Sequence, residues 1–276
     1  MWGTATSSFQ IEGSNDIDGK IESVWDEFCD RPNTIKNSDN AKIACDHYNR
    51  FNQDFNFLDE LGVNSYRFSI SWPRIVKDDL KRKNQKGLDF YSRIIDNLLS
   101  RNIEPFLTLN HWDVPLIFHE KGGWGNRDCI EHFLDYSSIV TKEFGDKVKY
   151  WITHNEPWVI ANLGHNNGTH APGSSNFYKS LEVSHNLLLS HGKAIPIIKS
   201  NSNQSSVGIV LNLSPGMPAS KSSEDSKATK LFNQYFNEWY LCPLYGKNYP
   251  KDITADWLQK GLINSIDFNK EGDLEI

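Results

Sequence analysis

The stretch Lys149–Trp158, KYWITHNEPW, decides the fold class of this chain. Residues 150–153 are aromatic or β-branched, which is typical of a short strand packed on both faces. Pro157 lacks a backbone donor and ends the strand, so Asn155 and Glu156 are predicted to lie where strand becomes loop. In a barrel of parallel strands, this carboxyl-terminal rim carries the chemistry. The decapeptide alone also fits a surface glutamate that only solvent contacts.

Strand and helix patterns alternate on both sides of this stretch. Strands are predicted over residues 4–11, 66–72, 105–109, 150–153 and 207–211. Apolar residues at steps of three and four predict helices over residues 48–61, 88–99, 130–144, 177–200 and 228–239, with a further short turn at 23–28 and a less regular tail from residue 252. Five β-then-α units in a row imply parallel strands joined by right-handed crossovers.

Two folds join parallel strands in this way, the open doubly wound sheet and the closed barrel. A doubly wound sheet usually binds nucleotides through a glycine-rich first turn, and the sequence contains neither GxGxxG nor a P-loop. Polar residues instead follow strand after strand at the carboxyl end: Gln10, Arg67, His111, Asn155 and Glu156. This pattern predicts the rim of an α/β fold of the (β/α)8 TIM-barrel type.

The spacing of the strands predicts an incomplete barrel. The first and fifth predicted strands start at residues 4 and 207. Four β/α units thus take about 200 residues, and the eight units of a closed barrel need about 400. We therefore expect about the first five units, without strands six to eight. No repeat, low-complexity tract or linker is visible, so residues 1–276 are predicted to form a single domain.

Charge and hydropathy restrict the classes of partner. The net charge of −6 and the isoelectric point near 5.8 argue against a surface for nucleic acid or anionic membrane. No apolar stretch approaches the roughly 20 residues that span a bilayer. Aromatic residues are abundant, with 9 Trp, 10 Tyr and 15 Phe. Most aromatic side chains serve a core, but flat rings beside Asn, Gln, His and Glu also suit a sugar site.

The cysteines predict the compartment. Cys29, Cys45, Cys129 and Cys242 are far apart, without a CxxC pair or a histidine at metal spacing. They are interpreted as reduced thiols, and no metal site is predicted. The amino terminus at Met1 shows no signal peptide. We therefore expect a cytoplasmic protein.

The polar residues of the predicted rim suggest glycoside chemistry. Two carboxyl groups that flank a glycosidic bond can hydrolyse it, one as acid and the other as nucleophile or base. Glu156 is the candidate acid, and Asn155 beside it can hydrogen-bond a sugar hydroxyl. His111 and Gln10 would supply further donors and acceptors. Each of these side chains taken alone is more simply explained as structural.

Several motifs together resemble the family 1 glycoside hydrolases, the β-glucosidase family. The motifs are WGTATSSFQIEG at 2–13, GVNSYRFSISWPR at 62–74, LTLNHWDVP at 107–115, GGW at 122–124 and WITHNEPW at 151–158. Later segments that look like the same family are GTHAPG at 168–173, HNLLLSH at 185–191 and CPLYGKNYP at 242–250. The resemblance runs through the whole chain.

The resemblance implies a role for each matching residue. Glu156 matches the family's general acid/base, Asn155 its ligand to the sugar 2-hydroxyl, and Arg67 the arginine that supports the ionised nucleophile. The positions that hold the non-reducing-end glucose are matched by Gln10, His111 and Trp112. The implied mechanism is retaining, with a covalent glycosyl-enzyme and two carboxyl groups about 5–5.5 Å apart. The implied substrate is a small β-glycoside, and neither cofactor nor metal is needed.

One departure from the family pattern concerns the nucleophile. The family carries it as a glutamate in Thr-Glu-Asn-Gly on the seventh strand, and this tetrapeptide is absent from the sequence. Glu12, Glu22 and Glu120 match no nucleophile motif. We therefore expect this chain alone to be inactive.

Three readings stay open. The chain can be the amino-terminal part of a β-glucosidase, a non-catalytic sugar-binding relative, or a half-barrel that assembles with a separately encoded carboxyl-terminal chain.

Overall fold

The computed structural model describes residues 1–77, 82–265, 270 and 273. These residues fall into two compact units. The first, called here the sheet unit, comprises residues 1–155 and 194–210. The second, the helical unit, comprises residues 156–193 and the described part of 211–276. A single domain over residues 1–276 stays a prediction.

The sheet unit contains five parallel strands that pair in the order in which they occur along the chain. The strands are β1 Gly3–Ala5, β2 Ser65–Ser69, β3 Glu104–Asn110, β4 Tyr150–Asn155 and β5 Ser206–Val210. Helices lie between successive strands, so every crossover returns the chain to the same end of the sheet. The predicted series of parallel β/α units is confirmed.

The register brings the ends of β3 and β4 level. Asn110 pairs with His154, so the residues that follow them, His111 and Asn155, emerge side by side at the carboxyl-terminal edge. Pairing between β4 and β5 is regular up to Ile152 and then shifts before Asn155. Such an irregularity in a ladder, a β-bulge, bends the strand and re-aims the side chains beyond it.

The first two strands are shorter than predicted. The predicted strand over residues 4–11 ends at Ala5, and Gln10 lies instead on a short helix, Ser8–Ile11. The predicted strand over 66–72 likewise ends at Ser69, before a helical turn. A serine precedes each turn, Ser7 and Ser71, in an extended conformation. Neither serine hydroxyl caps the turn that follows it.

Helices connect the strands of the sheet unit. They are α1 Ser8–Ile11, α2 Val24–Asp30, α3 His47–Leu61, α4 Trp72–Ile75, α5 Gln85–Ser100, α6 Leu116–His119 and α7 Asp128–Phe144. The next helix, α8 Phe177–Asn201, has residues in both units. The bounds of α2, α3, α5, α7 and α8 agree with the predicted turn and helices to within a few residues, whereas α1, α4 and α6 were not predicted as helices.

Helix α3 shows how the sequence sets one helix boundary. Its predicted apolar face is buried from Tyr48 to Leu58, but Leu61 in the last turn is 66% exposed. Gly62 ends the helix with φ +66 and donates to the carbonyls of Asp59 and Leu58. The prediction of a glycine end is confirmed, because glycine adopts this left-handed conformation without strain. The assignment of Leu61 to the buried face was wrong.

The core of the sheet unit lies directly below the carboxyl-terminal edge. Leu107 of β3 and Trp151 of β4 are neighbours in the sheet, and both are at most 1% exposed. Tyr136 of α7 stacks on Trp72, with ring centroids 5.0 Å apart. Its hydroxyl donates to the Leu109 carbonyl at 2.9 Å. This packing fixes the end of β3, because it satisfies a strand carbonyl inside the core.

The helical unit is built from π-helical turns and α-helices. A π-helical segment spans Val159–Asn166, and the later elements are α9 Ser223–Asn233, a π-helical turn Gln234–Glu238, α10 Trp239–Leu244 and α11 Lys251–Gln259. The predicted helix over 228–239 is therefore one part of a longer helical run. The tail predicted to be less regular from residue 252 begins as α11, and most residues after 265 lie outside the described part.

Aromatic residues form the core of the helical unit. The rings of Trp239 and Tyr249 stack at 4.1 Å between centroids, and Trp257 packs against Trp239 at 5.2 Å. The Trp239 indole donates to the Ser184 hydroxyl at 2.8 Å, so its buried polar atom is satisfied. Across the described ranges of the chain, no helix combines the length and hydropathy needed to cross a bilayer.

Candidate active site

A hydrogen-bonded row of polar side chains joins the ends of β2, β3 and β4. Arg67 of β2 donates through Nη2 to Asn155 Oδ1 at 2.6 Å and through Nε to Thr108 Oγ1 at 3.0 Å. On the other side, Asn155 Nδ2 lies 3.0 Å from His111 Nε2. The sequence predicted Arg67, His111 and Asn155 for one edge, and the structure brings them together.

The row fixes the protonation of His111. An amide nitrogen can only donate, so Asn155 donates to His111 Nε2 and the imidazole proton resides on Nδ1. Burial lowers the pKa of His111 to about 3, and the positive charge of Arg67 acts in the same direction. His111 is therefore neutral at physiological pH. Its buried Nδ1 finds no hydrogen-bond partner within the described part of the protein.

Two residues of the predicted site have left-handed backbones. Trp112 has φ +82 and Glu156 has φ +49. For residues with a Cβ atom this conformation is strained, and such strain clusters at functional sites. The Trp112 indole donates to the Asn155 carbonyl at 2.9 Å. The turn after β3 is thus tied to the end of β4.

A cavity of about 300 Å³ opens beside this row within the sheet unit. Three of the residues predicted to hold sugar line it, Gln10, His111 and Trp112. Trp25 stacks on Trp112 with an interplanar angle of 25°. The remaining lining residues are Ser7, Phe9, Cys29, Asp39, Asn40, Ala41 and Ala44. Flat ring faces beside a few polar groups form a surface that suits a small polyol.

Glu156 directly follows Asn155 and is the first residue of the helical unit. Its side chain is half-buried. Its carbonyl accepts a hydrogen bond from the Val159 amide at 2.9 Å, so the strand ends and the helical segment begins at this residue. The predicted position at the end of a strand is confirmed. The role of Glu156 as the acid stays a prediction.

The donors of the row suit hydrogen bonding to hydroxyl groups. A cationic guanidinium, an amide and a neutral imidazole contain both donors and acceptors, and they bind an uncharged polyol without burying a second charge. Within residues 1–77, 82–265, 270 and 273, no group of three or more His, Cys, Asp or Glu side chains is placed to hold a metal ion.

Several residues at this edge were not predicted for the site. Thr108 accepts from Arg67, and Asn110 donates to His154 Nδ1 at 3.0 Å below the row. Trp25 forms a cavity wall from α2. Thr108 and Asn110 belong to a predicted strand end and could have been found from it. Trp25 lies in a segment whose contact with Trp112 has no local signal in the sequence.

Comparison with known proteins adds to this geometry. The family model described as glycosyl hydrolase family 1 matches residues 1–275. Beta-glucosidase A of Acetivibrio thermocellus is 47% identical over 276 residues, which cover 100% of this chain and 61% of that protein. A crystal structure of the AHE enzyme from Alicyclobacillus herbarius has a TM-score of 0.95 at 40% identity, covering 99% of this chain and 61% of that one.

A solved structure with a bound ligand is similarly close. The beta-glucosidase from Thermotoga maritima in complex with glucoimidazole has a TM-score of 0.91 at 42% identity, over 100% of this chain and 61% of that one. This chain thus spans about three fifths of the length of the relatives it matches. Together with the five parallel strands, the likeness confirms an incomplete (β/α)8 barrel of about five units. By its sequence and its fold, the chain belongs to glycosyl hydrolase family 1.

Proposed function

We propose that this chain is the sugar-binding and acid/base part of a retaining glycoside hydrolase. The enzyme would release β-D-glucose, or a related β-glycosyl unit, from β-glucosides and short oligosaccharides. The observation that carries the proposal is the hydrogen-bonded row of Arg67, Asn155 and His111 beside an aromatic cavity. Membership of family 1 supports the same reaction.

Glu156 is proposed as the general acid and base. In the first step it donates a proton to the oxygen of the departing group while a second carboxylate attacks the sugar. In the second step it removes a proton from the water that hydrolyses the glycosyl-enzyme. Its position at the end of β4, directly after Asn155, supports this role.

Asn155 is proposed to bind the sugar 2-hydroxyl even though both its amide atoms already have protein partners. Its Oδ1 has a second lone pair and its Nδ2 a second hydrogen. Arg67 donates to one lone pair of Oδ1, and His111 accepts one hydrogen of Nδ2, so the other lone pair and the other hydrogen remain for the sugar. The two contacts also hold the amide plane in one orientation. A preset amide loses little conformational entropy when the sugar binds, so its hydrogen bond contributes more to affinity.

Three residues that share the cavity are proposed to hold the glucose itself. Gln10 supplies both a donor and an acceptor, the neutral His111 supplies an N–H, and Trp112 supplies a ring face. A neutral imidazole suits an uncharged hydroxyl group, because no charge needs to be desolvated on binding.

The nucleophile is proposed to come from residues outside this sequence. Thr-Glu-Asn-Gly is absent from it, and the matched relatives extend well beyond the matched region. Among the described residues, β1 and β5 each pair with a strand on one side only. Their open edges can accept further strands, either from a continuation of the chain or from a separate carboxyl-terminal half-barrel. The 276-residue chain alone is proposed to bind sugar without turnover.

The test combines binding and hydrolysis. Calorimetry with glucoimidazole should show binding to the chain alone, and 4-nitrophenyl β-D-glucoside should stay intact. A carboxyl-terminal segment containing Thr-Glu-Asn-Gly should restore hydrolysis, and Glu156→Gln should then lower kcat at least about a hundredfold. Hydrolysis by the chain alone that disappears in Glu156→Gln would refute the external nucleophile.

Two further outcomes would refute the enzyme assignment. Saturable glucose binding by a stable monomer, with no hydrolysis after the segment is added, would identify a non-catalytic sugar-binding relative. Failure to bind glucoimidazole and failure to hydrolyse after the addition would overturn the glycosidase proposal altogether.

A cytoplasmic location is proposed on separate grounds. All four cysteines, Cys29, Cys45, Cys129 and Cys242, are free thiols, which is the usual state of cysteines in a reducing compartment. Fractionation of the native cells should recover the protein with cytosolic markers. Recovery in the culture medium or the periplasm would contradict the proposal.

A further inference from the structure

A buried carboxyl group joins the ends of the first three strands. Asp113 is 1% exposed, and its Oδ2 accepts a hydrogen bond from Ser8 Oγ at 2.9 Å. The Ser8 amide donates to Ser69 Oγ at 2.8 Å, and Ser69 Oγ lies 3.0 Å from Ser8 Oγ. Asp113 follows β3, Ser8 follows β1, and Ser69 is the last residue of β2. One small cluster therefore connects the ends of three strands.

Burying the Asp113 carboxyl in this cluster costs free energy. Burial raises the pKa of Asp113 to about 7, although the hydroxyls of Ser8 and Ser71 act in the opposite direction. The charges that act on the carboxyl are Glu12, which raises the pKa, and Lys20, which lowers it. Within the described residues its Oδ1 has no hydrogen-bond partner. An apolar residue would fill this position at lower cost, so the carboxyl needs another explanation.

Two of the segments that line the sugar cavity are attached to this cluster. Ser8 begins α1, the helix that carries Gln10. Asp113 directly follows His111 and Trp112, and Trp112 has the strained φ of +82. The Ser8–Asp113 hydrogen bond is therefore a direct link between the segment with Gln10 and the segment with His111 and Trp112.

We propose that Asp113 is a positioning residue, which holds the Gln10 helix against the His111–Trp112 turn through Ser8 and thereby sets the width of the sugar cavity. Asp113 does not line the cavity, and it acts through its neighbours. That the cavity binds sugar rests on the function proposed above. The hydrogen-bonded link between the Gln10 segment and the His111–Trp112 segment can be measured without any ligand.

Three variants of the 276-residue chain separate positioning from simple packing. Asp113→Asn keeps an oxygen that accepts from Ser8, Asp113→Leu keeps the branched shape with bulkier ends and no acceptor, and Ser8→Ala removes the donor. A matched control is Ser137→Ala, which removes an equally buried hydroxyl from α7, where it bonds its own helix. Circular dichroism shows which variants fold. If Asp113→Leu does not fold, the measurements on Ser8→Ala decide the result.

The first measurement is the dissociation constant for glucoimidazole. We expect it to rise about tenfold in Asp113→Leu and Ser8→Ala, as loss of one buried hydrogen bond predicts. Asp113→Asn and Ser137→Ala should stay within about threefold of the parent chain. Equal losses in Asp113→Asn and Asp113→Leu would overturn the proposal, because the Ser8 acceptor would then be irrelevant.

The second measurement is backbone hydrogen exchange. In Asp113→Leu and Ser8→Ala, residues 7–12 and 109–114 should both exchange about tenfold faster, with α5 unchanged. If the parent chain does not bind glucoimidazole, the proposed function fails and exchange alone decides the inference. Unchanged exchange in both segments of a folded Ser8→Ala chain would overturn it.

Discussion

Two arginines from the same short segment of the chain, Arg74 and Arg67, have different roles. Arg74 is completely buried, donates to Glu12 Oε2 at 3.2 Å and lies 4.3 Å from the centroid of the Tyr48 ring. Arg67 lies at the rim of the sheet and donates to an amide oxygen and a hydroxyl. The first neutralises a charge inside the fold, and the second orients the side chains of the candidate site. Residue type alone does not distinguish these two roles.

The largest expected effect is on stability and concerns Arg74, the buried arginine of this comparison. Arg74→Met leaves the Glu12 carboxylate buried without its counter-charge, so the free energy of unfolding should fall by about 3–5 kcal/mol. Lys42→Met, which breaks the exposed pair with Asp30, is the control and should cost less than about 1 kcal/mol. Urea denaturation measures both. A loss below 1 kcal/mol in Arg74→Met would show that the pair is not needed for stability.

The next effect is a pH dependence of stability, and it compares two buried carboxyl groups. Glu12 is paired with an arginine, whereas Asp113 lies beside serine hydroxyls. The pKa of Asp113 rises from 3.8 to about 7, so between these values the folded state binds more protons than the unfolded state. The Asp113 contribution to stability is therefore present at low pH and is lost as pH rises, by up to about 1.4 kcal/mol per pH unit.

Asp113→Asn isolates this contribution. His111, whose pKa falls from 6.5 to about 3, acts with the opposite sign, because the unfolded state binds more protons below pH 6.5. The difference between the parent chain and Asp113→Asn cancels that effect and should grow steadily from pH 4 to pH 7. A difference independent of pH would mean that Asp113 is not protonated in the folded state.

A smaller effect concerns the arginine at the rim. Arg67→Met removes the donor that orients Asn155, so glucoimidazole should bind about tenfold more weakly, while the free energy of unfolding should fall by no more than about 2 kcal/mol. Arg67→Lys should not restore affinity, because lysine lacks the planar fork that reaches two acceptors. Calorimetry and urea denaturation of the same samples give both values. Affinity fully restored by lysine would reduce the role of Arg67 to its charge.

The smallest effect concerns the hydroxyl that Arg67 uses as its second acceptor. Thr108→Val keeps the shape of the side chain and removes the oxygen 3.0 Å from Arg67 Nε. Loss of one hydrogen bond should weaken glucoimidazole binding about threefold to tenfold. A titration that matches the parent chain within error would show that Asn155 alone sets the position of Arg67.

The sequence predicts the sheet better than it predicts the cavity. Alternating strand and helix patterns, and Pro157 after β4, are local signals. Three of the five residues that they place at the rim, Arg67, His111 and Asn155, are joined by hydrogen bonds in the structure. Gln10 was expected on a strand and lies on α1, since β1 already ends at Ala5. Contacts such as Trp25 with Trp112, or Ser8 with Asp113, join segments far apart in the chain. No local pattern encodes them.

The shift in pairing between β4 and β5 has a consequence for how this protein tolerates change. From Ile152 to Asn155 one strand advances three residues while its neighbour advances two, from Gly208 to Val210. Side chains alternate faces along a strand, so removal of a single residue there would turn the Asn155 amide to the opposite face. Length variation that a surface loop would absorb is therefore expected to abolish the proposed sugar binding at this point, even though no side chain of the rim had been altered.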